Sequence, residues 1–196
     1  MGRDAEETRR RLLRAASDEF AAHGLAGARV DRIAAAAGAS KVLLYTYFGN
    51  KDDLFDAVYN RMIADLVAAT PIDAEDLPGY AGRLFDRSMT HPEVVRLTLW
   101  DRLERGGQGA GQTLVQEANR SKVATIRQAQ ADGLVAVRFD AAELLLLITT
   151  MAAMWAFAQL GPDGPGDEDL AGARSTLVRA VRLLVEDRPS SAGAAV

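Results

Sequence analysis

An all-α fold of about nine helices is what this sequence predicts. Apolar side chains recur at intervals of three and four residues along one stretch after another. The six prolines and seventeen glycines gather in a few short places, as they do where helices are joined by tight loops. A chain of 196 residues is long enough for one or two domains with a sizeable core. No apolar run reaches the length of about eighteen residues that suggests a membrane span, and the charged N-terminus lacks the apolar segment of a secretion signal. No membrane partner and a cytoplasmic location are therefore expected.

The first helix is expected over residues 4–23. Asp4 and Glu7 have capping-box spacing, Leu12, Leu13, Ala16 and Phe20 form a buried stripe, and Gly24 ends the helix. Arg9, Arg10, Arg11 and Arg14 read mainly as a solvated face. After a short link, Val30, Ile33, Ala34 and Ala37 mark a second, short helix that Gly38 stops. Ser40 is placed to cap a third, in which Leu44 and Phe48 lie one turn apart. Two helices joined by a three- or four-residue turn containing glycine describe a helix-turn-helix. Ile33 and Leu44 would fill its small shared core, with Ala34 at the close crossing. At 100° per residue, Val42 and Thr46 point away from Leu44, flanked by Lys41, Leu43 and Tyr45. That surface suits a DNA major groove, where apolar groups meet thymine methyls and hydroxyls meet base edges or phosphates. An ordinary helical hairpin with two exposed apolar residues has the same spacing.

Gly49-Asn50 breaks the chain, and a fourth helix runs over about 51–69 with Leu54, Phe55, Val58, Met62, Ile63 and Leu66 apolar. Lys51 stands at its N-terminus, where backbone N–H groups and a cation can share a phosphate. An acidic loop between Pro71 and Pro78 follows. A fifth helix is expected over 78–90 with Leu84, Phe85 and Met89 inward. A sixth runs over 92–105 with Val95, Leu99, Trp100 and Leu103 apolar, and His91 is its turn or capping residue. Residues 106–111 look like a phosphate loop only superficially, since no strand precedes them and no Gly-Lys-Ser/Thr ends them. The seventh helix spans about 112–132, and residues 134–139 form a short connector. The eighth, 140–160, is apolar nearly all round and must be covered on both sides. After a turn at 161–166 a ninth helix runs over 167–187, with Leu170, Leu177, Val181, Leu184 and Val185 apolar. Residues 188–196 read as a disordered tail.

Charge is uneven along the chain. Residues 1–51 hold nine Lys/Arg against six Asp/Glu, while the whole chain carries a net charge of −4. A basic head on an acidic body fits phosphate binding at the N-terminal end. Cysteine is absent, which excludes disulfides, thiolate metal sites and thiol nucleophiles. His23 and His91 are the two histidines, far apart, and no motif has nucleophile or metal spacing, so neither an enzyme nor a metal or cofactor is expected.

Four short strings carry a resemblance: Ile33-Ala34, Ala37-Gly38-Ala39-Ser40, Leu44-Tyr45-Thr46-Tyr47-Phe48 and Lys51-Asp52-Asp53-Leu54. Together they resemble the signature of the tetracycline-repressor (TetR) family's DNA-binding domain and cover roughly the first quarter of the chain. The resemblance implies a three-helix helix-turn-helix domain over 1–50 and a larger helical ligand-binding and dimerisation domain over 51–187. It implies a regulator, a repressor above all, that binds double-stranded DNA as a homodimer through its last two helices. The two-fold axis would make the operator an inverted repeat. Family members usually carry Thr or Ser near Ala28 as cap and phosphate contact; here Arg29 is the nearest polar substitute.

The DNA-binding candidates are therefore Arg29, Ser40, Lys41, Val42, Leu43, Tyr45, Thr46, Tyr47 and Lys51. Lys41, Lys51, Tyr45 and Tyr47 would meet phosphates, and Val42, Leu43 and Thr46 bases. A small apolar or aromatic effector is expected in a pocket between helices four to eight. Phe85, Met89, Trp100, Met151, Met154 and Trp155 are candidates for its wall, and Tyr59, Thr98 and Gln128 for its polar groups. Plain core packing would use the same residue types. The rival reading is a DNA-independent helical ligand-binding or assembly protein.

Overall fold

The structure is a computed structural model that describes residues 2–107, 111–158 and 166–186. The centre of the 106–111 loop, the last residues expected of the eighth helix, most of the 161–166 turn and the 188–196 tail lie outside the described residues. Among the described residues there are nine helices: α1 (Gly2–Gly27), α2 (Val30–Ala36), α3 (Lys41–Phe48), α4 (Lys51–Ala69), α5 (Leu77–Thr90), α6 (Pro92–Arg105), α7 (Gly111–Ala131), α8 (Ala141–Ala158) and α9 (Asp167–Val185). They sort into two packing units, residues 1–69 with 91–116, and residues 70–90 with 117–196. Packing thus divides the chain elsewhere than at residue 50.

The first unit is built around side chains that leave water completely: Leu12 and Phe20 of α1, Ile33 of α2, Leu44 of α3, Leu54 and Phe55 of α4 and Leu97 of α6. Each contributes on the order of 1.5–3 kcal/mol from burial. Phe20 meets Phe55 edge to face, with ring centroids 5.1 Å apart. α1 starts two residues before Asp4, so Asp4 sits in the first turn rather than at the cap. Gly24 does interrupt the helix, at φ 67°, but one further turn follows to Gly27. A Cβ on Gly24 would lie 2.7 Å from a Glu104 carboxylate oxygen and 2.8 Å from the Trp100 ring, so this close approach of α6 needs glycine.

α6 corrects part of the expected stripe. Leu103 is 75 % exposed, Leu99 and Trp100 are half-buried, and Val94 and Leu97 join Val95 inside. His91 occupies the N-cap position without a side-chain capping bond; its Nδ1 lies 2.9 Å from Glu93 Oε1 instead.

In the second unit α5 lies between α8 and α9. Leu77, Tyr80 and Phe85 of α5 share a core with Ile126 of α7, Leu144 and Ile148 of α8, and Leu177 and Val181 of α9. Arg174 of α9 forms two hydrogen bonds to Asp86 of α5, at 2.7 and 2.9 Å. The connector after α7 is turns, held by Gln130 Nε2 donating to the carbonyls of Ala136 and Phe139. α8 buries one side and leaves Leu146, Leu147 and Met154 exposed, and α9 leaves Leu183 exposed. Among the described residues no helix is long and apolar enough to cross a membrane.

Replacing Gly24 by alanine forces a side chain into left-handed backbone and against the indole. The expected cost is about 2–4 kcal/mol. Urea unfolding of Gly24→Ala checks this, and an unchanged midpoint contradicts the packing described.

Candidate nucleic-acid interface

α3 is a short helix with little inside. Leu44 (0 % exposed) and Phe48 (7 %) anchor it against Ile33 and Ala34. Its start is fixed by Ser40, whose Oγ accepts the Leu43 N–H at 3.1 Å. The preceding turn closes α2 with the N–H of Gly38 donating to Ala35 and that of Ala39 to Ala34, at 3.1 and 2.9 Å. This is a Schellman closure, and Gly38 holds its left-handed position at φ 61°. Beyond α3, Gly49 (φ 78°) turns the chain and Asn50 caps α4, its Oδ1 accepting the Asp53 N–H at 2.9 Å.

With both anchors inside, the remainder of α3 except Tyr47 faces out. Val42 is 76 % exposed, Leu43 37 % and Tyr45 39 %, and Lys41 and Thr46 are exposed as well. Thr46 donates its hydroxyl to the Val42 carbonyl at 2.9 Å, which leaves the oxygen free to accept. Lys41 pairs with Asp31 at 3.0 Å, and the hydrogen bond to that carboxylate raises its ammonium above the ordinary lysine value. Tyr47 is half-buried, and its hydroxyl donates to the Ala5 carbonyl at 3.2 Å. Arg9 lies over the Phe48 ring, 5.5 Å from its centroid.

Residues 25–29 lead from α1 into α2, and three side chains hold them. Glu104 Oε2 of α6 accepts the N–H groups of Leu25 and Ala26 at 2.7 and 3.1 Å. Lys51 Nζ of α4 reaches the carbonyls of Ala26 and Ala28, both at 3.4 Å. Glu19 Oε1 of α1 accepts the Arg29 N–H at 2.8 Å and, with Oε2, binds the Arg32 guanidinium. Arg29 itself is the N-cap of α2 with no side-chain capping bond. Glu19 thus holds the N–H of the cap residue itself, and no side chain caps the first turn of α2 among the described residues. The Arg32 hydrogen bond is the main cause that holds the Glu19 carboxyl below its ordinary value; burial opposes it, and the Arg29 N–H adds to it.

Sequence reasoning missed Glu19 and Glu104. They act across ten and seventy-nine residues, and no local pattern marks such a partner. Trp100, expected in a pocket wall, packs on α1 at Gly24 and donates Nε1 to the Ala21 carbonyl at 3.4 Å.

The other effector candidates fall in both units. In the first, Tyr59 is buried and stacks on Phe55 with centroids 6.1 Å apart. Burial raises its phenol, while a hydrogen bond with Thr98 lowers it. Thr98 in turn donates to Val94 O at 2.8 Å. In the second, Phe85 is core, Met89, Met151 and Trp155 pack partly buried on that core, Met154 is 55 % exposed, and Gln128 bonds Asp132 at the surface. Among the described residues no cluster of His, Asp or Glu could hold a metal ion.

Two family models match the chain. One, described as bacterial regulatory proteins of the tetR family, matches residues 12–58; the other, described as the C-terminal domain of tetracyclin repressor-like proteins, matches residues 76–182. The chain is 39 % identical to the HTH-type transcriptional repressor SCO4008 of Streptomyces coelicolor over 189 residues, 94 % of this chain and 98 % of that protein. It is 31 % identical to the HTH-type transcriptional repressor NicS of Pseudomonas putida over 110 residues, 52 % of this chain and 51 % of the other. Among solved structures, the transcriptional regulator SCO4942 of Streptomyces coelicolor is similar with a TM-score of 0.81 and 39 % identity, over 92 % of this chain and 99 % of that one.

A carboxyl held below its ordinary value by the fold contributes stability that is complete above that value and lost as pH falls through the lowered one. Glu19→Gln should therefore be less stable than the wild type at neutral pH, with the gap closing as pH falls below 4.5. A gap that stays constant through acid unfolding contradicts the role given to Glu19.

Proposed function

The chain belongs to the TetR family of DNA-binding transcriptional regulators, and from that premise we propose that it is a repressor that binds an inverted-repeat operator as a homodimer and leaves it when a small ligand binds. The observation that carries the DNA-reading part is the outward face of α3. Val42, Leu43, Tyr45 and Thr46 stand in water on a helix whose inner side is fully used by Leu44 and Phe48. Exposed apolar side chains grouped on eight residues have little to gain in water and much to gain against thymine methyls in a major groove.

In this reading Val42, Leu43 and Thr46 contact bases. Lys41 and Arg29 meet phosphates with their charges, and Ser40 and Tyr45 with hydroxyls, while Tyr47 ties α3 to α1 through the Ala5 carbonyl. Lys51 holds the approach to α2 and adds positive charge at the start of α4. Homodimerisation gives the exposed Leu146, Leu147 and Met154 of α8 and Leu183 of α9 an apolar partner. Two copies then set their α3 helices about 34–36 Å apart, one helical turn of DNA. The protein would act in the cytoplasm, where its operator is.

The effector part rests on the candidates of the second unit, Phe85, Met89, Gln128, Met151, Met154 and Trp155. A ligand can release DNA only by the difference in its affinity for the DNA-bound and free arrangements.

Selection from random duplexes by mobility shift identifies the site, and two variants then test the face. Lys41→Ala should weaken binding to every duplex alike and lower the salt slope by about 1. Thr46→Ala should re-rank duplexes by roughly 1–3 kcal/mol at the position it reads. Neither effect appearing removes α3 as the reading surface, and binding that ignores salt favours a DNA-independent protein.

A further inference from the structure

Inside the second unit a polar group stands among apolar ones. Tyr80 of α5 is 0 % exposed, with Leu77, Ala81 and Leu84 of the same helix in the surrounding core. Its hydroxyl is buried and has no hydrogen-bond partner among the described residues. Burial pushes the phenol up to about 12, so it is a neutral O–H with a proton to donate. Lys122 of α7 is half-buried and holds its ammonium 5.3 Å from the centroid of the Tyr80 ring. No carboxylate among the described residues pairs with it. Asp86, the acidic residue of α5, pairs with Arg174, and Asp76 in the loop before it pairs with Arg83.

A second buried group without a partner lies on the same side of α5. Residues 80, 83, 84 and 87 share one helical face, and Arg87 Nε is also buried without a partner. The Arg83 charge is close enough to Tyr80 to act on its phenol. The donors on this side are thus one buried hydroxyl proton without a partner, a half-buried ammonium over its ring, and, further along the same helical face, one buried guanidinium N–H without a partner. A buried donor without an acceptor forfeits its hydration. A cation over a ring face recovers less than an ion pair gives. The group that meets such a set is acceptor-only and negative, and a carboxylate has that inventory. Burial lowers the Lys122 ammonium below the ordinary lysine value, a penalty that a bound anion offsets.

We propose that Lys122 and Tyr80 bind the carboxylate of an amphipathic organic acid, whose apolar body packs among the side chains of this core, with Ile126, Val123 and Leu84 nearest in sequence to the pair. This deepens the effector reading above and rests on it: the effector is an acid with an apolar body rather than a neutral or cationic compound.

The test uses the full-length protein and matched probes: octanoate against 1-octanol and octylamine, and 4-phenylbutyrate against 4-phenylbutanol, each followed by calorimetry and thermal shift. At least one acid should bind about tenfold or more tighter than its alcohol, and octylamine should not compete. Lys122→Met keeps the stem over the ring and should abolish the acid's advantage without weakening the alcohol. Tyr80→Phe keeps the ring and should reduce the advantage about threefold or more. If neither acid outbinds its alcohol, if the amine binds best, or if Lys122→Met keeps the preference, the inference is wrong. Should Lys122→Met fail to fold, Lys122→Gln and Tyr80→Phe decide by the same criterion. DNA binding is measured on the same preparations. DNA bound with no acid preference overturns this inference alone, and acid preference without DNA binding overturns the regulator reading alone.

Discussion

Residues 25–29, the last turn of α1 and the link to α2, are the constraint on which the reading helix depends. α2 is seven residues long and α3 eight, too short to be stable on their own. Their direction has to come from elsewhere. It comes from the carboxylates of Glu19 and Glu104 and the ammonium of Lys51, which bind the backbone of residues 25–29 from α1, α6 and α4. Charged partners suit the task, because hydrogen bonds to ionised groups are stronger than neutral ones. Gly24 makes the arrangement possible by letting Trp100 and Glu104 approach where any Cβ would collide.

Anchoring from behind leaves the front of α3 free. A helix that spends two of eight side chains on the core and shows valine, leucine and tyrosine to water is poor at stabilising the protein. It becomes sensible when the exposed side chains have a surface to meet. α8 has the same property on a larger scale: one side is core, and Leu146, Leu147 and Met154 on another stand in water. A second copy of the chain is the partner proposed for it.

Much of this was legible in the sequence because it is local. The Gly38 closure, the Ser40 cap and the inward pair Leu44 and Phe48 each involve residues within six positions of one another, where periodicity and turn chemistry speak directly. The signature strings around them also marked the family. What escaped notice is what acts at a distance. Glu19 and Glu104 carry no local mark, and Trp100 read as a pocket wall, because nothing near them in the chain names α1 or α2 as their partner. The stripe of α6 was misread for a related reason: its sequence offers more apolar residues than one face holds, and the contacts of α1 and α4 select Leu97 over Leu103. Tyr80 stayed unremarked because an aromatic at core spacing signals packing, and only the fold shows that its hydroxyl has no partner among the described residues.

The most direct measurement is the affinity of Glu104→Gln for the duplex selected by the wild type, taken across a range of salt concentrations. Glu104 bonds Leu25 and Ala26 and has no hydrogen bond to α3 among the described residues, and loss of its negative charge alone would favour DNA, so a weaker complex points to the position of the reading helix. If the 25–29 link sets that position, the variant binds about tenfold or more weaker while folded, with an unchanged salt slope. Wild-type affinity in a variant whose Leu25 and Ala26 amides have become freely exchanging would contradict it.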